Sequence, residues 1–375
     1  MRILYFSDNC SDHNRRFLEK LVSFGYDVYF LNATPDGLAE ENWLPRGVRR
    51  LHPRLSIRRD ADPNEFARFL PEFQSLLKEF RPDLVHAGPV QTCGYLAALS
   101  GFQPLVVMSW GSDMLVHAGQ NAEWIRATEI ALGAANGFFC DCETVRKAAQ
   151  HYVEIPNARI VQFPWGIKRG SFSPSGPTYL RERTTPDAFT LISTRSWEPL
   201  YDTSVLLNAF HLAYRKNHRL RLLLLGDGSE AGRVRTFIAD HKLNQVVVTP
   251  GKIASTEMPR WFDAADAYVS CARSDGSSIS LLEGMAMGLP AVVTDIPSNH
   301  EWIAEGENGF LATAGSAGEF AEKLLRAASL PPSDVEAISR RNQAIVAERA
   351  DWDENFPSLL RLYECLVSSA AVMEA

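Results

Sequence analysis

The sequence predicts an α/β protein made of two doubly wound, Rossmann-like parallel-sheet domains in series. Three observations carry that reading. Apolar segments of strand length alternate with helix-length amphipathic segments in both halves of the chain. The two alternations are separated by 163–177, a Pro-, Gly- and Ser-rich stretch with little periodicity. The length, 375 residues, is too great for one ordinary core and suits two.

In the first half, strands are expected at 2–7, 27–32, 83–86, 105–109 and 137–140, with helices at 14–24 and 65–80. Several of these strands are apolar throughout rather than alternating, as buried parallel strands are. In the second half, strands are expected at 189–193, 219–225, 246–249, 267–271 and 290–294, and helices at 204–215, 230–241, 258–264 and 279–287. The strand at 219–225 runs directly into a glycine turn, Gly226, Asp227, Gly228, and everything from about Ser333 onwards reads as helix. The expected boundaries are 1–165 for the first domain, 166–178 for the linker, 179–345 for the second domain and 346–375 for a closing helix.

Hydrophobic residues make up 46% and charged residues 22% of the chain, the balance of a soluble globular protein. No apolar run approaches the ~20 residues that span a bilayer, and the first residues lack the charged and apolar regions of a signal peptide. The expected location is therefore cytoplasmic. Six scattered cysteines, with one C-x-C at Cys140 and Cys142 and no second pair at zinc spacing, read as free thiols, mostly in apolar segments. The net charge of −7 argues against nucleic acid as a partner. One local exception is the crowd of Arg46, Arg49, Arg50, Arg54, Arg58 and Arg59. It reads either as a solvated loop or as a face for peripheral contact with an anionic membrane or acceptor.

Ligands of doubly wound sheets bind beyond the carboxyl ends of the strands, so the residues directly after strands are the ones to weigh. After the strand at 267–271, Asp275 stands in a Gly/Ser-rich turn and Glu283 stands just over one turn into the next helix. Between them Gly276, Ser277, Ser278 and Ile279 supply a helix start whose unpaired N–H groups suit a phosphate. A carboxylate at either end can take two vicinal hydroxyls through charge-assisted hydrogen bonds. By residue type alone, Asp275 could equally cap the helix and Glu283 could be an ordinary helical acid.

The acid, seven residues and glutamate, followed by Gly284, Met285, Ala286, Met287, Gly288, Leu289 and Pro290, resemble the donor-site signature of glycosyltransferase family 4. The resemblance extends to the 225–230 turn, to Trp165, Gly166 and Ile167 before Phe172, to Pro250, Gly251, Lys252 and Ile253, and to the last helix with Trp352 and Tyr363. It implies the GT-B fold: two facing Rossmann-like domains and a C-terminal helix that crosses back to the N-domain. It also implies a retaining transferase that moves a sugar from a UDP- or GDP-sugar substrate to a hydroxyl acceptor, a glycan or lipid-linked saccharide, with no cofactor and no metal. By the same resemblance Asp275 holds the sugar, Glu283 the ribose, Lys252 and Ile253 the nucleotide, and Arg195 the diphosphate.

Four departures stand out. The family's first acid is usually Glu, and here it is Asp275. Its lysine about five residues after the arginine falls here near Leu200 or Tyr201, leaving Lys252 or Arg273 to supply a second cation. The usual histidine after the strand at 105–109 is Trp110, and the loop after the first strand, with Asn9 and His13, has no glycine. Asp113 is expected to orient or deprotonate the acceptor, with His86 and His117 as further acceptor-side candidates. The missing lysine and histidine leave a catalytically silent relative as the alternative. A dehydrogenase is disfavoured, because the glycine turn lacks a third glycine and no acid ends the next strand.

Overall fold

The computed structural model describes residues 1–32, 34, 43–54, 57–58, 61–168, 170–174 and 187–374. The chain divides into two compact units, Met1–Phe163 with Asn355–Ala375, and Pro164–Glu354.

In the first unit, β1 (Arg2–Ser7), β2 (Asp27–Asn32), β3 (Val48–Leu51), β4 (Leu84–Gly88), β5 (Leu105–Met108), β6 (Gly137–Cys140) and β7 (Ile160–Gln162) form one sheet in the order β3-β2-β1-β4-β5-β6-β7. Every pairing is parallel, for example Ser7 opposite Asn32 on one side and Gly88 on the other. Helices cover both faces, which is why Ile3, Leu4, Tyr5 and Phe6 are at most 1% exposed although consecutive. The closing helix Pro357–Glu374 lies against β6, where a Cβ on Gly137 would come within 2.7 Å of Leu362. A larger residue there would have to push the Leu362 side chain aside.

In the second unit, β8 (Phe189–Ser193), β9 (Leu220–Leu224), β10 (Val247–Val248), β11 (Ala267–Ser270), β12 (Ala291–Thr294) and β13 (Gly309–Ala312) are also all parallel, in the order β10-β9-β8-β11-β12-β13. Alternate strand residues divide between two cores: Leu191 and Val292 pack on one face, Ile192, Ala291 and Val293 on the other. Strand order reverses between β1 and β4 in the first sheet and between β8 and β11 in the second. The fold class is thus the one expected, two parallel-sheet α/β domains.

Some elements differ from expectation. The single helix expected at 65–80 is two, Pro63–Ala67 and Leu70–Phe80. Pro71 has no N–H and fits only a first turn, so the chain restarts a helix there. The C-terminal region is likewise not continuous: Pro332–Arg349 ends, Asp351 bridges to Ile167, and helix resumes at Trp352–Asn355 and Pro357–Glu374. β3, β7 and β13 were not expected. β3 carries Arg49 and Arg50, so this part of the arginine-rich stretch is an edge strand and not a loop. Charged side chains on such an edge discourage pairing with another chain. Arg49 pairs with Asp27 at 3.1 Å and lies over the Tyr29 ring, and Arg58 pairs with Glu65 at 3.4 Å; Arg59 lies outside the described residues. Of the six free thiols, Cys93, Cys140, Cys142 and Cys271 are buried, Cys10 is half-buried and Cys365 is exposed.

Candidate functional site

The second unit brings Arg195 and Asp275 together across its switch point. Arg195 follows β8 and Asp275 follows β11, adjacent strands whose connections leave in opposite directions. Their side chains meet at 2.8 Å, Arg195 Nη2 to Asp275 Oδ2, with 13% and 20% of the side chains exposed. The other arm of the guanidinium, Nη1, donates to Ser278 Oγ at 2.8 Å and Ser280 Oγ at 3.2 Å. Ser280 is in turn held by the buried Tyr268 hydroxyl at 2.7 Å. Tyr201 lays its ring on the guanidinium, 4.1 Å from centroid to Cζ.

Burial opposes the charge on Arg195, but Asp275, with Tyr201 and Tyr268, outweighs it and keeps the group protonated above its ordinary range. Burial pushes the Asp275 carboxyl up, against the pull of Arg195, Ser278 and the Gly276 N–H. Arg195 Nε is buried with no hydrogen-bond partner among the described residues, so this cation keeps unspent hydrogen-bonding capacity.

The helix Ile279–Ala286 starts at Ser278 with no side chain capping it. Its first-turn N–H groups and the positive end of its dipole therefore lie beside Arg195 and Asp275. Ser277 is fixed from behind by Trp302, whose indole N–H donates to its Oγ at 3.1 Å. Glu283 is half-buried within the same helix. Asn342, on Pro332–Arg349, donates to the carbonyls of Leu289 and Asn308 at 2.9 and 3.1 Å and ties the segment after that helix in place.

The neighbouring turns are built to admit these groups. Gly226, at φ +114°, stands where a Cβ would lie 2.7 Å from the Arg195 carbonyl, and a Cβ on Gly228 would lie 2.4 Å from that of Trp197. Trp197 N–H donates to Asp227 O, and Glu198 takes the Ser229 N–H at 3.0 Å. Lys252 is exposed and Ile253 half-buried in the turn after β10, which the Gly226 N–H joins through the Gly251 carbonyl at 2.9 Å. The turn after β9 thus stands between the Lys252 turn and the Arg195 backbone, with Gly226 in contact with both. Arg273 is engaged elsewhere: its Nε meets the buried Asp202 at 2.7 Å and its N–H donates to Leu200 O at 2.9 Å.

In the first unit the acceptor-side candidates separate. Asn9, His13, Trp110 and Asp113 all lie beyond the carboxyl ends of β1 and β5. The His13 and Trp110 rings are 6.4 Å apart. Asn9 is held by Asn14, whose amide also donates to Ser7 Oγ at 2.9 Å and whose carbonyl accepts from Tyr5 at 2.7 Å. Asp113 is buried and its oxygens are spent: Oδ1 accepts from Ser109 Oγ at 2.7 Å and Trp110 N at 2.9 Å, Oδ2 from Val90 N at 3.0 Å. Burial raises its pKa while these donors lower it. Its visible work is to join the loops after β4 and β5. His86 lies wholly in the core among Tyr5, Phe17, Phe139 and Tyr363, with Nδ1 on the Tyr363 hydroxyl, and burial drives its pKa down to about 3. His117 is exposed and stands edge-on to Trp124. Neither histidine joins the cluster around Trp110.

Tyr201, Ser280, Tyr268, Trp302 and Asn14 were not singled out from the sequence. Ser280 had a signal, since it lies one residue beyond the phosphate-binding stretch. Tyr201, Tyr268 and Trp302 belong to that site only through packing, and Asn14 belongs to the polar cluster of the first unit. Among the described residues no group of three or more His, Cys, Asp or Glu could hold a metal ion, and no helix is long and apolar enough to cross a membrane.

Comparison with known proteins matches residues 2–155 to the family model described as Glycosyl transferase 4-like, and residues 190–329 to that described as Glycosyl transferases group 1. D-inositol 3-phosphate glycosyltransferase of Pseudarthrobacter chlorophenolicus is 27% identical over 215 residues, 56% of this chain and 51% of that protein. The matched stretch thus spans about half the length of that relative. In fold, the chain is similar to sucrose-phosphate synthase of Thermosynechococcus elongatus, with a TM-score of 0.78 at 15% identity over 98% of this chain and 100% of that one. It is similar also to HepE of Anabaena, solved with UDP and with UDP-glucose, with TM-scores of 0.74 and 0.73 at 16% and 15% identity over 99% of this chain and 100% of that one. With both units matched in order and both sheets parallel throughout, the chain belongs to the GT-B glycosyltransferases.

Proposed function

We propose that this protein transfers a sugar from a nucleotide-sugar to a hydroxyl acceptor with retention of anomeric configuration and without a metal ion. The observation that carries the reading is the Arg195–Asp275 pair at the switch point of the second sheet, beside an uncapped helix start. A cation and free helix amides at one spot are what a departing diphosphate needs, and they do the charge stabilisation that a metal ion otherwise does. Asp275, adjacent to them, grips the hydroxyls of the sugar. Glu283, four residues into the helix, takes the ribose. Lys252 and Ile253 lie along the same end of the sheet, where a base would extend. The acceptor is taken to be a saccharide or a lipid-linked saccharide bound near Trp110, His13 and Asn9, with Asp113 shaping that surface. A UDP- or GDP-sugar is the donor we favour, as HepE of Anabaena was solved with UDP-glucose. Peripheral contact with an anionic membrane through the arginine-rich stretch has less support, because Arg49 and Arg58 are already paired.

The test is a thermal-shift screen of UDP-, GDP- and ADP-sugars, followed by turnover with the nucleotide-sugar that stabilises. A ligand at 100 times its Kd adds about 2.7 kcal/mol of stability. Stabilisation by one nucleotide class with turnover supports the reading. No shift with any of them would remove it.

A further inference from the structure

The diphosphate site as read above has one firm cation where two would be expected. Lys252 is an exposed side chain in the turn after β10, and Arg273 is clasped by Asp202. What the structure puts against Arg195 in their stead is an aromatic ring. We propose that Tyr201 is the positioning residue of this site: stacked on Arg195, it holds the guanidinium plane in the orientation in which it receives a diphosphate. The inference rests on the reading of Arg195 as the diphosphate grip and goes beyond it to how this chain works without the lysine.

Four contacts define the guanidinium. One face is covered by the Tyr201 ring at 4.1 Å, Nη1 is held by Ser278 and Ser280, and Nη2 by Asp275. Three of these partners, Ser278, Ser280 and Asp275, come from the chain after β11 and are themselves groups a ligand would compete for. Of the four, the ring face is the contact that does not compete with an anion for the N–H groups of the guanidinium, while the Tyr201 hydroxyl adds a polar contact to Arg195. The ring's placement is also built, not incidental. Tyr201 ends a short turn, Pro199–Tyr201, that closes on Asp202 in a left-handed conformation, φ 47° and ψ 48°. A non-glycine residue there needs support from its surroundings. Arg273 supplies it twice, through its side chain on the Asp202 carboxylate at 2.7 Å and its N–H on Leu200 O at 2.9 Å. Arg273 lies two residues before Asp275. The clasp therefore locks the turn that carries the ring to the loop that carries the acid.

The physical gain is pre-organisation. A guanidinium is a planar fork whose value on phosphate depends on its orientation, whereas an ammonium is a point charge that needs none. Fixing the plane before the ligand arrives lowers the ordering cost of binding.

Isothermal titration of UDP and of GDP, using whichever binds wild type more tightly, tests the assignment. Tyr201→Phe keeps the ring and should hold Kd within about 3-fold. Tyr201→Ala and Tyr201→Leu should raise it several-fold to about 30-fold, the range of a cation–π contact that is partly to fully desolvated, with melting temperatures near wild type. In an Arg195→Ala background, Tyr201→Ala should cost nothing further, which a merely structural tyrosine would not satisfy. Unchanged affinity in Tyr201→Ala, or an equal loss with and without Arg195, overturns the proposal. Wild type that binds neither nucleotide removes the reading of the site itself and the proposal with it, so the two failures are distinguishable.

Discussion

At the scale of single residues, the chemistry of this chain depends on which polar groups are left with something to give. Arg195 is deeply placed, charged, and has one nitrogen without a partner among the described residues. Asp113 has no such reserve, because its carboxylate is divided among three donors in its own loops. Arg195→Ala should therefore lower turnover by about 10²–10³-fold, the cost of removing one donor to a developing oxyanion, measured as kcat at saturating donor. His86 makes a different prediction. Its folded pKa, about 3, lies below the ordinary value of 6.5 because burial disfavours the imidazolium. As pH falls below 6.5 the unfolded chain takes up a proton that the folded one refuses, so stability is lost between pH 6.5 and about 3 and is level below that. A shift of this size corresponds to several kcal/mol, about 1.4 for each pH unit. Urea unfolding at pH 4 and pH 6.5 should show a smaller acid loss for His86→Leu than for wild type. Equal losses would mean that the ring is not held neutral.

At the scale of elements, the site is made by turns that could not close with side chains in them. The turn after β9 passes under the Arg195 backbone, and Gly226 has both a left-handed φ and a carbonyl 2.7 Å from where its Cβ would be. Gly226→Ala should destabilise the fold by about 1–3 kcal/mol through backbone strain and weaken nucleotide binding by displacing Arg195. Gly232 is the control. It sits inside the helix Ala231–Asp240 with nothing within 4 Å of a Cβ, so Gly232→Ala should be stabilising by up to about 1 kcal/mol. Chemical denaturation and nucleotide titration of both variants check the contrast, and similar behaviour of the two would contradict the packing argument. The short π-helical turns Val90–Gly94 and Asp113–His117 are the counterpart in the first unit. Asp113 joins them, starting one and bonding the first N–H of the other.

At the scale of the whole molecule, two parallel sheets each reverse strand order once, and each reversal collects polar residues beyond the strand ends. The proposed division of labour, donor on the second unit and acceptor on the first, follows from what is collected: a cation, an acid and helix amides in one; aromatic rings, an asparagine and a histidine in the other. Because the charge work is assigned to Arg195 and to backbone amides, activity should survive EDTA at millimolar concentration. Loss of turnover on chelation with recovery on adding Mn²⁺ would assign that work to an ion. The product's anomeric configuration, read by NMR, tests the stereochemistry, and an inverted linkage would exclude the retaining reading.

What the sequence determined by itself was periodic and local. Strands such as Gly137–Cys140 and Phe189–Ser193 were legible to the residue, because short segments rich in β-branched, aromatic and other apolar residues and bounded by turn signals read as strands wherever they occur. The stretch from Asp275 to Glu283 was legible because its residues are neighbours in the chain and their types suit one ligand. The tertiary structure decided everything that depends on distant residues meeting. It showed that Arg195 meets Asp275, that Tyr201 covers Arg195 and that Arg273 is already taken by Asp202. It also turned His86 into a core residue, since a strand buried on both faces leaves a histidine no route to solvent. An edge strand as short as Val48–Leu51, VRRL, has no apolar run of its own and exists because β2 offers it hydrogen bonds. Pairings between residues 80 or more positions apart are fixed by sheet order and loop closure, neither of which has a local signature in the chain.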